Sequence, residues 1–248
     1  MSPEYLSFTT RSAHAVALAD LADSVRAALS TGTLYQYAMR HPEARALAGR
    51  GIAYAVPLPG TVARVVVRRS RHGGLFAGVT GELFLPPTRA PHELATAIRL
   101  ARAAVPTPRV AAYATYRAGA MGLLRRSDVA TCEIDGARDL AAALIAASTG
   151  RERTALWEAT ARLVAALTRA GARHPDLNLR NVLITSDMQA VAIDVDRVTF
   201  GRAGDPAITR ANIRRLARSA RRWRERRGAA IDEPDIERLC AIASESEP

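Results

Sequence analysis

A chain of 248 residues that is 48% hydrophobic has the length and apolar content for a substantial core, so it reads as globular and not as a disordered chain. Its formal net charge of +11 comes from 35 basic residues against 24 acidic ones, and all 35 are arginine. That balance favours anionic partners, although aromatic residues at 5% are too sparse for a single-strand stacking platform, so no nucleic-acid partner is expected. Cys132 and Cys240 match no metal spacing and read as two incidental thiols of a reduced compartment. Neither a secretory signal nor an apolar run of membrane-spanning length is expected.

Residues 12–30 carry Val16, Leu18, Leu21, Val25 and Leu29 at helical positions, with Gly32 ending the run, and a shorter helix is expected over 33–48. Together, 1–48 read as a helical N-terminal extension. The pattern then changes. Gly49-Arg50-Gly51 precedes Ile52–Val56, and Pro57-Leu58-Pro59-Gly60 leads into Val62–Arg68, which predicts two strands joined by a turn. Gly49 and Gly51 permit close backbone approach to a phosphate, an ordinary turn being the rival reading. Arg68 ends the second strand and is the candidate for the nucleotide phosphates, in a chain without lysine; Arg64, Arg69 and Arg71 compete for that role. A helix over 91–104 follows. Its Glu93 either pairs with Arg68 or simply stabilises the first helical turn.

Pro106-Thr107-Pro108 breaks that helix, and 109–134 hold three short strand candidates. Glu133 and Ile134 read as a hinge whose backbone groups bind adenine. Helices are expected at 137–148 and 152–170, then a hairpin, then a basic helix at 207–227 and a last helix at 232–243. The expected fold class is α+β: a protein-kinase-like, two-lobed fold with a strand-rich N-terminal lobe, 49–134, and a helical C-terminal lobe, 135–248.

The hairpin carries the chemistry. His174-Pro175-Asp176-Leu177-Asn178-Leu179-Arg180-Asn181 is followed by the apolar runs Val182–Ile184 and Val191–Ile193, and then by Asp194-Val195-Asp196. A lone D-x-x-x-x-N is weak, because both residues are common in turns. The joint pattern of loop, strand, turn, strand and Asp is what a kinase-type phosphotransferase needs. Asp176 is the candidate base for an attacking hydroxyl. Asn181 and Asp194 supply hard oxygen ligands for Mg²⁺ beside ATP. His174 reads as structural, and Asp196 and Arg197 as fixing the loop or contacting substrate.

These residues resemble the lipopolysaccharide kinase family, most closely its 3-deoxy-D-manno-octulosonic acid (Kdo) kinases. The similarity runs in order through Gly49–Gly51, Val67–Leu75, Glu93, Pro106–Pro108, Ile134–Leu140, His174–Asn181, Ile193–Arg197 and Asn212–Ser219. It implies ATP-dependent phosphorylation of a Kdo hydroxyl, the 4-OH in characterised relatives. The implied acceptor is Kdo attached to lipid A on the cytoplasmic face of the bacterial inner membrane. It also implies Asp176 as base, Asn181 and Asp194 as metal ligands, and Arg68 with Glu93 as the phosphate-positioning pair. Arg69, Ser70, His72 and Val195 depart from the family's usual residues. The arginines between Arg210 and Arg227 fit an anionic membrane surface, with a solvated helix face as the rival. Two other functions stay open: a kinase-like phosphotransferase for another small molecule or a protein, and a catalytically inactive, Arg-rich binding scaffold.

Overall fold

The computed structural model describes residues 4–48, 51–70, 82–119, 122–227, 233–234, 237 and 241. The chain divides into two units, the first formed by 1–95 and 109–133 and the second by 96–108 and 134–248.

The first unit is built on one antiparallel sheet. Its strands are β1 (Tyr5–Thr9), β2 (Ala13–Leu18), β3 (Arg45–Ala48), β4 (Ile52–Pro57), β5 (Arg64–Arg69), β6 (Val110–Ala118) and β7 (Leu124–Cys132). They lie in the order β1-β2-β6-β7-β5-β4-β3. Two helices, α1 (Ala22–Leu29) and α2 (Leu34–Arg40), pack on it, α1 against β2 and α2 against β4, β5 and β7. The core between them gathers Val25, Leu29 and Leu34 with Val56, Val65, Val67 and Ala130.

The N-terminal 48 residues are therefore not a helical extension; three of their segments are strands of this sheet. The expected helix over 12–30 holds only from Ala22 to Leu29. Ala13, Ala15 and Ala17 are buried at alternate positions and pair with β6 on one side while β1 pairs on the other. Two flanking ladders outweigh the helical preference of alanine. The helix expected over 33–48 stops at Arg40. Its start is a capping box between Thr33 and Gln36, and its end is His41, extended at φ −66°, ψ 132° as a residue before Pro42 must be. The three short strands expected over 109–134 are two nine-residue strands.

The second unit is mainly helical. Helix α3 (Ala90–Arg102) begins in the first unit and enters the second at Thr96. Helices α4 (Leu140–Ala146), α5 (Gly150–Arg169) and α6 (Pro206–Arg227) follow. Strand β8 (Arg138–Asp139) pairs with β10 (Val182–Ile184), which pairs with β11 (Ala190–Ala192); β9 (Ala172–Arg173) pairs with β12 (Thr199–Phe200). Thr149 and Glu152 form the capping box that starts α5, and its Leu156, Trp157, Leu163, Val164 and Leu167 are buried at helical spacing. Helix α5 packs on α6 and β11. At Gly171, φ is +67° and a Cβ would lie 2.5 Å from the Gly201 carbonyl oxygen, so only glycine turns the chain from α5 into β9. No helix among the described residues is long and apolar enough to cross a membrane. The helix expected at 232–243 lies mostly outside the described residues.

Candidate active site

The loop between β9 and β10 is held from below by its own leucines. Leu177 and Leu179 are buried, so the residues between and beside them face outward. Two side-chain amides converge on the main chain of Asp176: Asn178 Nδ2 donates to the Asp176 carbonyl at 2.8 Å and Asn181 Nδ2 donates to the same oxygen at 2.9 Å. Asn178 Oδ1 in turn accepts the Arg180 N–H at 2.9 Å. The Asp176 side chain is thus set on a loop whose backbone cannot drift. Its Oδ2 accepts a hydrogen bond from Arg197 Nη1 at 3.0 Å.

Asp194 follows β11 in the left-handed conformation, φ 61° and ψ 49°, before a single 3₁₀ turn over Val195–Arg197. Left-handed backbone is unfavourable for a residue with a Cβ, though Asp tolerates it better than most, and such positions cluster at functional sites. The Ile193 N–H donates to the Asn181 carbonyl at 3.0 Å, which ties the Asp194 segment to the loop.

His174 is the brace between them. It is fully buried, and its Nε2 lies 3.0 Å from the Ile193 carbonyl oxygen. A carbonyl only accepts, so Nε2 carries the proton. Burial pushes the imidazole below its ordinary range, against the pull of the Ile193 carbonyl, Asp194, Asp176 and Asp196, so the ring is neutral. From the opposite side, the His174 N–H donates to Asn212 Oδ1 at 3.0 Å, and Asn212 Nδ2 donates to the Ala172 carbonyl at 3.1 Å. Ser219 Oγ accepts the Leu179 N–H at 3.2 Å. Asn212 and Ser219 are seven residues apart on α6, two turns along one face. Their bracing role is not readable from the sequence alone; its one signal is polar residues at positions that share a face with Leu216 and Ala220.

The donor set suits Mg²⁺. Asn181 Nδ2 is committed to the Asp176 carbonyl, which leaves its Oδ1 as the neutral oxygen that could serve as a ligand, and Asp194 adds a carboxylate. Magnesium is commonly held by one or two protein oxygens and completed by phosphate and water.

In the first unit, Arg68 Nη2 lies 2.6 Å from Glu93 Oε1; the Glu93 side chain is 4% exposed and that of Arg68 28%. The alternation of β5 separates Arg64 and Arg68 from Arg69; Arg71 lies outside the described residues. Val65, Val67 and Arg69 turn to the face covered by α2, where Arg69 stacks on Tyr35 and pairs with Glu82 and Asp128. Arg64 is held by Glu133 and Glu43. Arg68 alone of these three faces α3.

One backbone group of the expected hinge is already engaged within the sheet. The Glu133 N–H donates to the Arg64 carbonyl at 3.0 Å and its carboxylate is clamped by Arg45 and Arg64, so that amide is not available to adenine. The N–H of Ile134 makes no hydrogen bond among the described residues, and the chain passes between the units at this point. Gly51 is exposed just before β4; Gly49 and the stretch 71–75 lie outside the described residues.

Known proteins resemble this chain in sequence and in fold. Residues 49–241 match the profile of the lipopolysaccharide kinase (Kdo/WaaP) family. A 3-deoxy-D-manno-octulosonic acid kinase of Stenotrophomonas maltophilia (strain K279a) is 34% identical over 197 residues, covering 77% of this chain and 74% of the relative. Kinases of the same name from Xanthomonas oryzae pv. oryzae (strain PXO99A) and Vibrio vulnificus (strain YJ016) are 34% and 31% identical, again over 77% of this chain and over 74% and 78% of their own lengths. Among solved structures, WaaP in complex with acyl carrier protein superposes with a TM-score of 0.56 at 18% identity, over 89% of this chain and 86% of that one. The α+β, kinase-like fold is shared.

Proposed function

The chain belongs to the lipopolysaccharide kinase (Kdo/WaaP) family, and from that premise we propose that it transfers the γ-phosphoryl group of ATP to a hydroxyl of Kdo carried on lipid A. The observation that carries the reading is the joint retention of Asp176, Asn181 and Asp194 on one braced loop and hairpin. A binding scaffold has no chemical need for all three.

The acceptor hydroxyl oxygen attacks the γ-phosphorus, the bond from that phosphorus to the β–γ bridging oxygen breaks, and ADP leaves with the electron pair. The proton of the attacking hydroxyl goes to the Asp176 carboxylate. In a loose transition state the base mainly orients the nucleophile and takes the proton late, so a rigid loop matters more than a strong base. Asn178 and Asn181 supply that rigidity through the Asp176 carbonyl. Asn181 Oδ1 and Asp194 would hold Mg²⁺, which when bound neutralises phosphate charge. Arg68, oriented by Glu93, takes the phosphate-binding role that lysine fills in most kinases, with a guanidinium that stays charged at every accessible pH. The Ile134 N–H is the hinge donor for adenine.

A membrane-borne acceptor would be met by a peripheral protein at the cytoplasmic face of the inner membrane. Helix α6 supports this. Ile208, Asn212, Ile213, Leu216 and Ala220 face inward, while Arg210, Arg214, Arg215, Arg218 and Arg222 are exposed.

The direct test is incubation with ATP, Mg²⁺ and a Kdo-bearing lipid A precursor, read by mass spectrometry, beside Asp176→Ala. Wild type adds one phosphate to the Kdo portion, and the variant loses about 10²- to 10⁴-fold in kcat. ATP binding without product transfers the reading to another acceptor. Loss of both product and nucleotide binding leaves only the scaffold.

A further inference from the structure

Building on the reading above, we propose that Arg197 recognises the carboxylate of the acceptor sugar acid and thereby sets which hydroxyl meets Asp176. Its position makes it a specificity determinant as well as a neighbour of the base.

Three observations carry this. Arg197 ends the 3₁₀ turn that follows Asp194, and Val195 and Val198 on either side of it are buried, so its backbone is anchored while its side chain remains 55% exposed. One nitrogen, Nη1, engages Asp176 Oδ2 at 3.0 Å, and Arg197 makes no other hydrogen bond or ion pair among the described residues. A guanidinium carries five N–H donors in a rigid planar fork. Four of them are therefore left beside the base. Any hydroxyl that reaches the remaining oxygen of Asp176 must bring its sugar alongside this fork.

Electrostatics supplies the reason for a cation there. Asp176 on the β9–β10 loop and Asp194 and Asp196 after β11 all lie close enough to act on His174, and the nucleotide adds more negative charge. A neutral sugar approaches such a site without penalty. A sugar acid does not, because its own carboxylate is repelled by the carboxylate that must accept its proton. A guanidinium anchored on Asp176 offsets that repulsion and offers the paired N–H geometry that matches a carboxylate. It also fixes the acceptor at two points, the acid group on Arg197 and the attacking hydroxyl on Asp176, so that only a hydroxyl at the right span from C1 is presented for transfer. An exposed ion pair made only for stability would gain little in this position.

The experiment uses the full chain and two acceptors: the Kdo-bearing lipid A precursor, and the same molecule with the Kdo carboxyl reduced to an alcohol. Steady-state kinetics are measured for wild type, Arg197→Ala and Arg197→Lys. Wild type is expected to favour the acid by about 10- to 100-fold in kcat/KM, mostly through KM. Arg197→Ala should bring that ratio close to one, and Arg197→Lys should retain part of it. A variant that loses activity equally on both acceptors, or a wild type that does not distinguish them, overturns the inference and leaves Arg197 as a support for Asp176. Phosphorylation of neither acceptor by wild type refutes the Kdo reading itself, and this inference with it.

Discussion

Arg68 and Arg69 are adjacent, yet the pleat of β5 sends them to opposite faces and so to different roles. Arg69 is locked between Tyr35, Glu82 and Asp128, while the partly exposed Arg68 pairs with the buried carboxylate of Glu93. A pair acting as a unit makes non-additive losses. Arg68→Ala and Glu93→Ala should each raise the KM for ATP by about 10- to 100-fold, and the double variant should be little worse than either single one; additive losses in a double-mutant cycle would separate the two residues. His174 makes a second prediction at this scale. Its imidazole titrates lower in the folded protein than in the unfolded chain, where it keeps the ordinary value near 6.5. Below 6.5 the unfolded chain binds the extra proton and the folded one does not, so the unfolded state gains. The stability linked to this residue is therefore complete above pH 6.5 and is lost as pH falls toward the lowered native value. Urea midpoints measured from pH 8 to pH 5 should fall more steeply for wild type than for His174→Gln, which retains a side-chain donor but does not titrate.

At the scale of elements, α6 is the support on which the reaction loop rests. Asn212 bonds both sides of the β9 end through His174 N–H and the Ala172 carbonyl, and Ser219 holds Leu179. Asn212→Ala leaves two buried backbone groups unpaired and should cost about 2 to 6 kcal/mol, at about 1–3 kcal/mol for each group left unsatisfied. Ser219→Ala, on a partly buried bond, should cost about 1 kcal/mol. Chemical denaturation checks both, and kcat should fall more than the KM for ATP because the loop, not the nucleotide-facing strand, is loosened. Much of this element level is legible in the sequence. The hairpin over Val182–Ala192 and helices α3, α5 and α6 follow from apolar periodicity. What the sequence conceals has physical causes. Ala13, Ala15 and Ala17 have the composition of a helix and the burial of a strand, and only their two ladder partners decide between them. The roles of Asn212 and Ser219 depend on a loop nearly forty residues away in the chain. The pairing of Arg197 with Asp176 spans 21 residues and turns on the left-handed backbone of Asp194, which no periodicity announces.

The whole molecule carries a net charge of +11 with no lysine, and α6 collects a large share of it on one outward face. Arginine is more weakly hydrated than lysine and engages phosphate through paired donors, so an arginine face can stay bound at a phosphate-rich surface while the enzyme turns over its acceptor. Each basic residue near an anionic surface contributes about 1 kcal/mol, and that contribution decays within a Debye length of about 10 Å at 0.1 M salt. Three such residues, Arg210, Arg214 and Arg218, follow one another at four-residue spacing and are exposed. Replacing all three by Gln leaves the buried face of α6 and its hold on the loop untouched. Affinity for vesicles containing about one third anionic lipid should then fall on the order of 100-fold in sedimentation assays. Wild type should lose most of its own binding as salt is raised toward 0.5 M, while neutral vesicles should bind neither protein. Salt-insensitive binding, or binding unchanged in the triple variant, would show that the face is merely solvated. In that event the arginines of α6 would serve solubility, and recognition of the acceptor would rest on the reaction loop and Arg197 alone.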